Sequence, residues 1–129
     1  MKNKKFDDLI ISLSACRNIN DGRTRYKELK NKRKLLSNLE ENNPLWTFCN
    51  VLGNKTRVHL LELLIDDEYC VCELAVILNK AQPTISHHLR ILEKANLIRA
   101  WKKGKFAFYV LNKEELEKRL NLLKEKFLN

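Results

Sequence analysis

The chain has 129 residues, 44% of them hydrophobic and 32% charged, which is enough apolar side chain for one modest core but not for two. Its formal net charge of +9 favours a polyanionic partner, and no apolar run approaches the roughly 20 residues that span a bilayer. Asp7 and Asp8 interrupt the N-terminus, which therefore does not read as a secretion signal; a cytoplasmic chain is expected, its cysteines free thiols, ligands or redox groups rather than a disulfide framework.

Residues 1–42 read as a basic helical arm with eleven basic and six acidic side chains, set apart from a domain over residues 43–129. Asp21-Gly22 is the turn signal of the arm. Before it, Phe6, Leu9, Ile10 and Leu13 predict an amphipathic helix over residues 6–16. After it, Tyr26, Leu29, Leu36 and Leu39 predict a second over residues 23–40.

From Asn43 the pattern changes. Pro44 suits the first turn of a helix that carries Leu45, Phe48, Val51 and Leu52 before Gly53 closes it, and Cys49 fits its packed side as a buried free thiol. Residues 54–64 follow with Val58, Leu60, Leu61, Leu63 and Leu64 on a wide buried face and His59 outward. The acidic Asp66, Asp67 and Glu68 lead into a short helix over residues 71–78, with Leu74, Ile77 and Leu78 inward, and residues 79–82 turn the chain. Pro83 opens the next helix. Its inner face is Ile85, Leu89 and Leu92, and Asn96 ends it in the left-handed conformation that asparagine tolerates.

Beyond that helix the period falls to two, which marks strands. Residues 97–101 and 106–111 flank a hairpin tip, Lys102-Lys103-Gly104-Lys105. The last segment, residues 113–127, sets Leu116, Leu120, Leu123 and Phe127 at i, i+4, i+7 and i+11, the seam of a helix that packs on another helix. Charge is uneven along the chain, with +6 over residues 79–110 and −3 over residues 55–78. The expected fold class is mainly α with a β-hairpin wing: three helices and a basic two-stranded wing describe a winged helix-turn-helix, whose second helix of the turn enters the major groove. Neither a phosphate-binding glycine loop nor a Ser/His/Asp arrangement supports an enzyme.

Cys70 and Cys72 stand just upstream of the recognition helix, in Glu68-Tyr69-Cys70-Val71-Cys72-Glu73-Leu74. If the short helix begins at Val71, both thiols fall on one side of a backbone that is still extended, and they can share a ligand. The unpaired N–H groups of a helix start also favour thiolate over thiol. A thiolate pair selects soft or borderline ions such as arsenite, antimonite, cadmium, lead, copper(I) or zinc. No obligatory cofactor is implied.

Four motifs in order, Leu52-Gly53-Asn54-Lys55-Thr56-Arg57, Cys70-Val71-Cys72-Glu73-Leu74, Gln82-Pro83-Thr84-Ile85-Ser86-His87-His88-Leu89 and Gly104-Lys105-Phe106-Ala107-Phe108-Tyr109, resemble the ArsR/SmtB family of metal-sensing repressors over about residues 44–128. The resemblance implies a homodimer joined through the first and last helices of the domain. It implies an inverted-repeat operator in double-stranded DNA, released when a metal or metalloid binds. On the outward face of the recognition helix, Thr84, Ser86, His87 and Arg90, with Gln82 just before it, are the DNA-facing positions. The resemblance marks Gln82, Ser86 and His87 as base readers. Lys102, Lys103 and Lys105 are expected at phosphates, and His88 in packing.

In arsenite-responsive members of that family a third sulfur can follow the pair by three residues, where this chain has Ala75. Other members take a cysteine from the N-terminal arm, often of the opposite subunit, which makes Cys16 the candidate third ligand. The family's other metal site lies on the last helix and uses His and carboxylate ligands, and residues 113–129 contain no His. Two further readings stay open, a thiol redox switch on the same fold and an architectural DNA binder without an inducer.

Overall fold

The computed structural model describes residues 3–37 and 43–129, and the chain divides into two compact units, Met1–Asn42 and Asn43–Asn129. In the first unit Asn3 caps helix α1 (Lys4–Arg17) by accepting from the Lys5 N–H at 3.1 Å. The Asp21 carboxylate heads helix α2 (Gly22–Ser37), accepting from the N–H groups of Arg23 and Thr24 at 3.1 Å. The Thr24 hydroxyl donates to it as well, and these bonds hold the Asp21 carboxyl below its ordinary range. The two helices meet edge-on through Phe6 and Tyr26, ring centroids 4.8 Å apart. Gly22 is required by that approach: a Cβ there would lie 2.6 Å from the Ile10 carbonyl oxygen and against the Ser14 hydroxyl. Residues 38–40 of the expected second arm helix, Leu39 among them, lie outside the described residues.

The second unit starts with helix α3 (Pro44–Leu52), capped by Asn43, and helix α4 (Lys55–Leu63), capped by Asn54; each asparagine side chain accepts a backbone N–H of the first turn. Strand β1 (Tyr69–Cys70) runs straight into helix α5 (Val71–Leu78). Helix α6 (Gln82–Lys94), strands β2 (Ile98–Lys103) and β3 (Phe106–Leu111) and helix α7 (Lys113–Leu128) complete the unit. The three strands form one antiparallel sheet in the order β1-β3-β2. Phe48, Leu60, Leu74, Ile85, Leu89, Leu92, Leu97 and Ile98 form the unit's fully buried centre.

Asparagines stop three helices in the same way. Asn18, Asn79 and Asn96 have φ of 50°, 53° and 63°, and after α6 the N–H of Leu97 returns to the Leu92 carbonyl while that of Asn96 returns to Glu93. That is the paired bonding of a Schellman cap, closed by contact between two buried leucines. The wing turn is tighter than expected. Lys102 and Lys103 pair with Ala107 and Phe106 inside the ladder, so only Gly104-Lys105 forms the loop. Gly104 has φ +62°, as the first central residue of a II′ turn requires.

Burial departs from expectation at several positions. Val58 and Ile77 are exposed rather than inward, because the core takes only one side of α4 and of α5. Cys49 is exposed, since Phe48 and Val51 already fill the packed side of α3. His59, expected outward, is half-buried. On α7, Leu116 and Leu123 pack against the core, but Leu120 and Phe127 stay 49% and 68% exposed. Half of the expected seam is therefore open in the single chain.

Candidate nucleic-acid interface and thiol pair

Helix α6 presents two unlike faces. Ile85, Leu89 and Leu92 are buried, while Gln82, Thr84, His87 and Arg90 are exposed. Ser86, expected outward, is half-buried, because it lies only about 60° around the helix from buried Leu89. The helix starts at Gln82 with Pro83 inside its first turn, so Gln82 belongs to the helix rather than preceding it. Lys102, Lys103 and Lys105 are exposed. Lys102 and Lys103 are neighbours on one strand, and their side chains leave opposite faces of the wing.

His88 turns away from that surface. Its Nδ1 lies 3.3 Å from Arg57 Nη1, and since a guanidinium can only donate, Nδ1 accepts and the ring proton sits on Nε2. Arg57 also donates Nε to the Val51 carbonyl at 2.6 Å and Nη2 to that of Asn50 at 3.2 Å. It thereby joins the end of α3 to α4 and α6, a positioning role that its place in the first motif did not reveal. Burial first, then the charge of Arg57, pushes His88 below the ordinary 6.5. The unfolded chain therefore takes up a proton that the native one refuses, and stability falls as pH drops below about 6.5. Thermal unfolding from pH 8 to pH 5 should show this loss in the wild type and a smaller one in His88→Gln.

Cys70 ends β1 and caps α5, its N–H donating to Glu73 Oε1 at 3.0 Å. The Cys70 and Cys72 sulfurs are 3.0 Å apart, Cys70 buried and Cys72 half-buried. The expected thiolate is not favoured at Cys70. The neighbouring Cys72 sulfur and burial raise its thiol pKa, and they outweigh the opposite pull of the Glu73 backbone N–H.

A groove of about 180 Å³ joins the thiols to the DNA-facing elements, lined by Cys70, Cys72, Gln82, Lys105 and Phe106 among others. Strand β1 binds the thiols to the wing a second time. Cys70 is paired with Phe108, Phe108 stacks on Trp101 at 5.3 Å, and the Trp101 indole N–H donates to Glu68 at 2.9 Å. Sequence patterning missed this sheet contact, because a two-residue strand carries no period.

The two sulfurs suit a thiophilic ion as donors, but among the described residues no group of three or more His, Cys, Asp or Glu converges on a metal site. Cys16 is exposed on α1, where its thiol donates to the Leu13 carbonyl at 3.5 Å.

Residues 54–100 match the family of bacterial regulatory proteins named for arsR. An uncharacterized HTH-type transcriptional regulator of Methanocaldococcus jannaschii is 40% identical over 74 residues, 57% of this chain and 83% of that one. The chain belongs to the ArsR family. The arsenical resistance operon repressor of Staphylococcus xylosus is 37% identical over 73 residues, 57% of this chain and 70% of the repressor. A solved structure described as a possible transcriptional regulator for arsenical resistance superposes with a TM-score of 0.57 at 31% identity, covering 62% of this chain and 83% of that one. As an ArsR-family member with a winged helix-turn-helix, the chain is a DNA-binding transcriptional regulator and not an enzyme. Among the described residues no helix is long and apolar enough to cross a membrane.

Proposed function

We propose that this protein is a homodimeric repressor that holds inverted-repeat operator DNA through α6 and the wing and releases it when Cys70 and Cys72 bind a thiophilic metal or metalloid. The observation that carries the proposal is the groove in which both sulfurs, Gln82 of α6 and Lys105 of the wing turn meet. A change in sulfur position there acts on both DNA-facing elements at once. Arsenite and cadmium are the inducers to test first, in keeping with the soft donor set and with the arsenical resistance repressor among the relatives. An ion held by this pair would form two sulfur bonds in place of the two thiol protons, which leave to solvent. Cys16 of the opposite subunit is the proposed third donor.

The open residues of α7, with Trp46 of α3 at 62% exposure, form the proposed dimer surface. Arg119 already ties these helices together, donating to the Pro44 carbonyl at 3.4 Å. Twofold pairing then sets two α6 helices in successive major grooves about 34–36 Å apart.

The deciding experiment titrates arsenite into reduced protein on operator DNA, following thiolate charge-transfer absorbance and release together. Release without sulfur absorbance would refute the assignment. For the DNA face, Gln82→Ala should cost about 1–3 kcal/mol and relax preference at one base pair. Lys105→Ala should lower the salt slope of binding by about one per protomer without changing preference. Fluorescence anisotropy on operator and random duplexes separates the two effects.

The 3.0 Å sulfur separation also favours a second reading, in which peroxide is the inducer. The two thiols give up two electrons and two protons, peroxide leaves as water, and a sulfur–sulfur bond forms. Mass spectrometry of peroxide-treated protein distinguishes it by a loss of two hydrogens confined to the peptide with Cys70 and Cys72.

A further inference from the structure

The arm lies outside the segment that matches the family, and its second helix carries seven basic residues against one acid, Glu28. We propose that Arg23, Lys27, Lys30 and Lys34 form a second duplex-DNA surface, gripping backbone phosphates in addition to those held by α6 and the wing. The four stand at i, i+4, i+7 and i+11, on one face of α2, and all are exposed. They span about 16 Å of helix. Glu28 lies off this face and is paired with Arg25 at 3.0 Å, so it does not neutralise the stripe. Asp21 at the helix start, already held by Thr24 and the N–H of Arg23, feels the charge of Lys27. Arg23 is steadied by the Phe6 ring, 5.8 Å from its guanidinium carbon.

Charge complementarity selects a polyanion, and the packing selects duplex DNA over a lipid surface. A helix that lies on a membrane inserts the apolar face bordering its basic one, but Tyr26 of α2 is engaged by Phe6 of α1, and the exposed Leu35 and Leu36 stand about 110° and about 150° around the helix from the middle of the stripe. Covalent attachment to a DNA-binding domain further raises the local concentration of the stripe at the duplex. The proposal rests on the DNA binding of the second unit and is independent of the thiols.

The test uses the full chain with Lys27, Lys30 and Lys34 all changed to Gln, and a companion in which all three are Arg. Removing one lysine–phosphate interaction lowers the slope of log affinity against log salt by about 0.9. The Gln variant should therefore lose about 2.7 per protomer, weakening equally on operator and random duplex, while the Arg variant keeps the wild-type slope. Gln82→Ala moves the ratio between those duplexes instead, so a failure of the DNA-reading face and a failure of the stripe give different results. An unchanged slope in a Gln variant of wild-type helix content overturns the proposal. So does loss of binding to phosphatidylglycerol vesicles with the DNA slope intact.

Discussion

Cys70→Ser and Cys72→Ser proteins should hold operator DNA about as tightly as the wild type and should no longer release it when arsenite or cadmium is added. The coupling that disappears is of the order of 1–3 kcal/mol, or 5- to 150-fold in operator affinity. Affinity for DNA survives because serine is close to cysteine in size and leaves Gln82 and Lys105 in place beside the groove. Serine caps a helix at least as well as the cysteine it replaces, and the pairing of β1 with β3 is carried by backbone. Gel-shift titration of both single variants and the double variant provides the check, and release of the double variant at wild-type arsenite concentrations would remove the sulfur pair from the mechanism. Linkage adds a reciprocal expectation: operator DNA should weaken ion binding by the same factor.

Leu89→Ala should have the largest effect on folding. Leu89 has no exposed surface, and it belongs to the helix that packs on α4, α5 and β2. Removing three side-chain carbons from such a site costs about 2–5 kcal/mol, the lost burial plus the cavity left behind. A domain of this size has a total stability of about 5–15 kcal/mol, so the variant should unfold at a markedly lower urea midpoint and lose DNA binding with its fold. A loss below about 1 kcal/mol would mean that the neighbouring leucines close the gap. Arg90→Ala, one residue along on the exposed face, provides the control, with little change in the midpoint.

The helices of the second unit were legible in the sequence because their signals are local and redundant. Pro44 and Pro83 fall in first turns, Asn96 adopts a positive φ, and Ile85, Leu89 and Leu92 lie on the buried side as their spacing requires. The family followed from motifs whose order matches the elements. What escaped depends on contacts between distant segments. Strand β1 exists only because β3 lies beside it, and the exposure of Cys49, Val58 and Ile77 reflects which side of each helix its neighbours cover. The thiol pair shows both cases. Its place at the start of α5 was readable from spacing, whereas the raised Cys70 pKa arises from a 3.0 Å approach of sulfurs and from burial. In the arm, the glycine of the turn was legible but its reason was not, since the Ile10 carbonyl that excludes a side chain there is twelve residues away.

Trp101 gives the protein a built-in optical gauge. Its ring is stacked on the residue opposite Cys70 in the sheet, and its indole hydrogen is held by the carboxylate two residues before that cysteine. Indole emission shifts with the polarity and hydrogen bonding around the ring, and Trp46, the other tryptophan, sits on α3, away from this contact, at 62% exposure in the single chain. With Trp46 replaced by Phe, the colour of the remaining fluorescence follows the contact between the thiol-bearing strand and the wing in unlabelled protein.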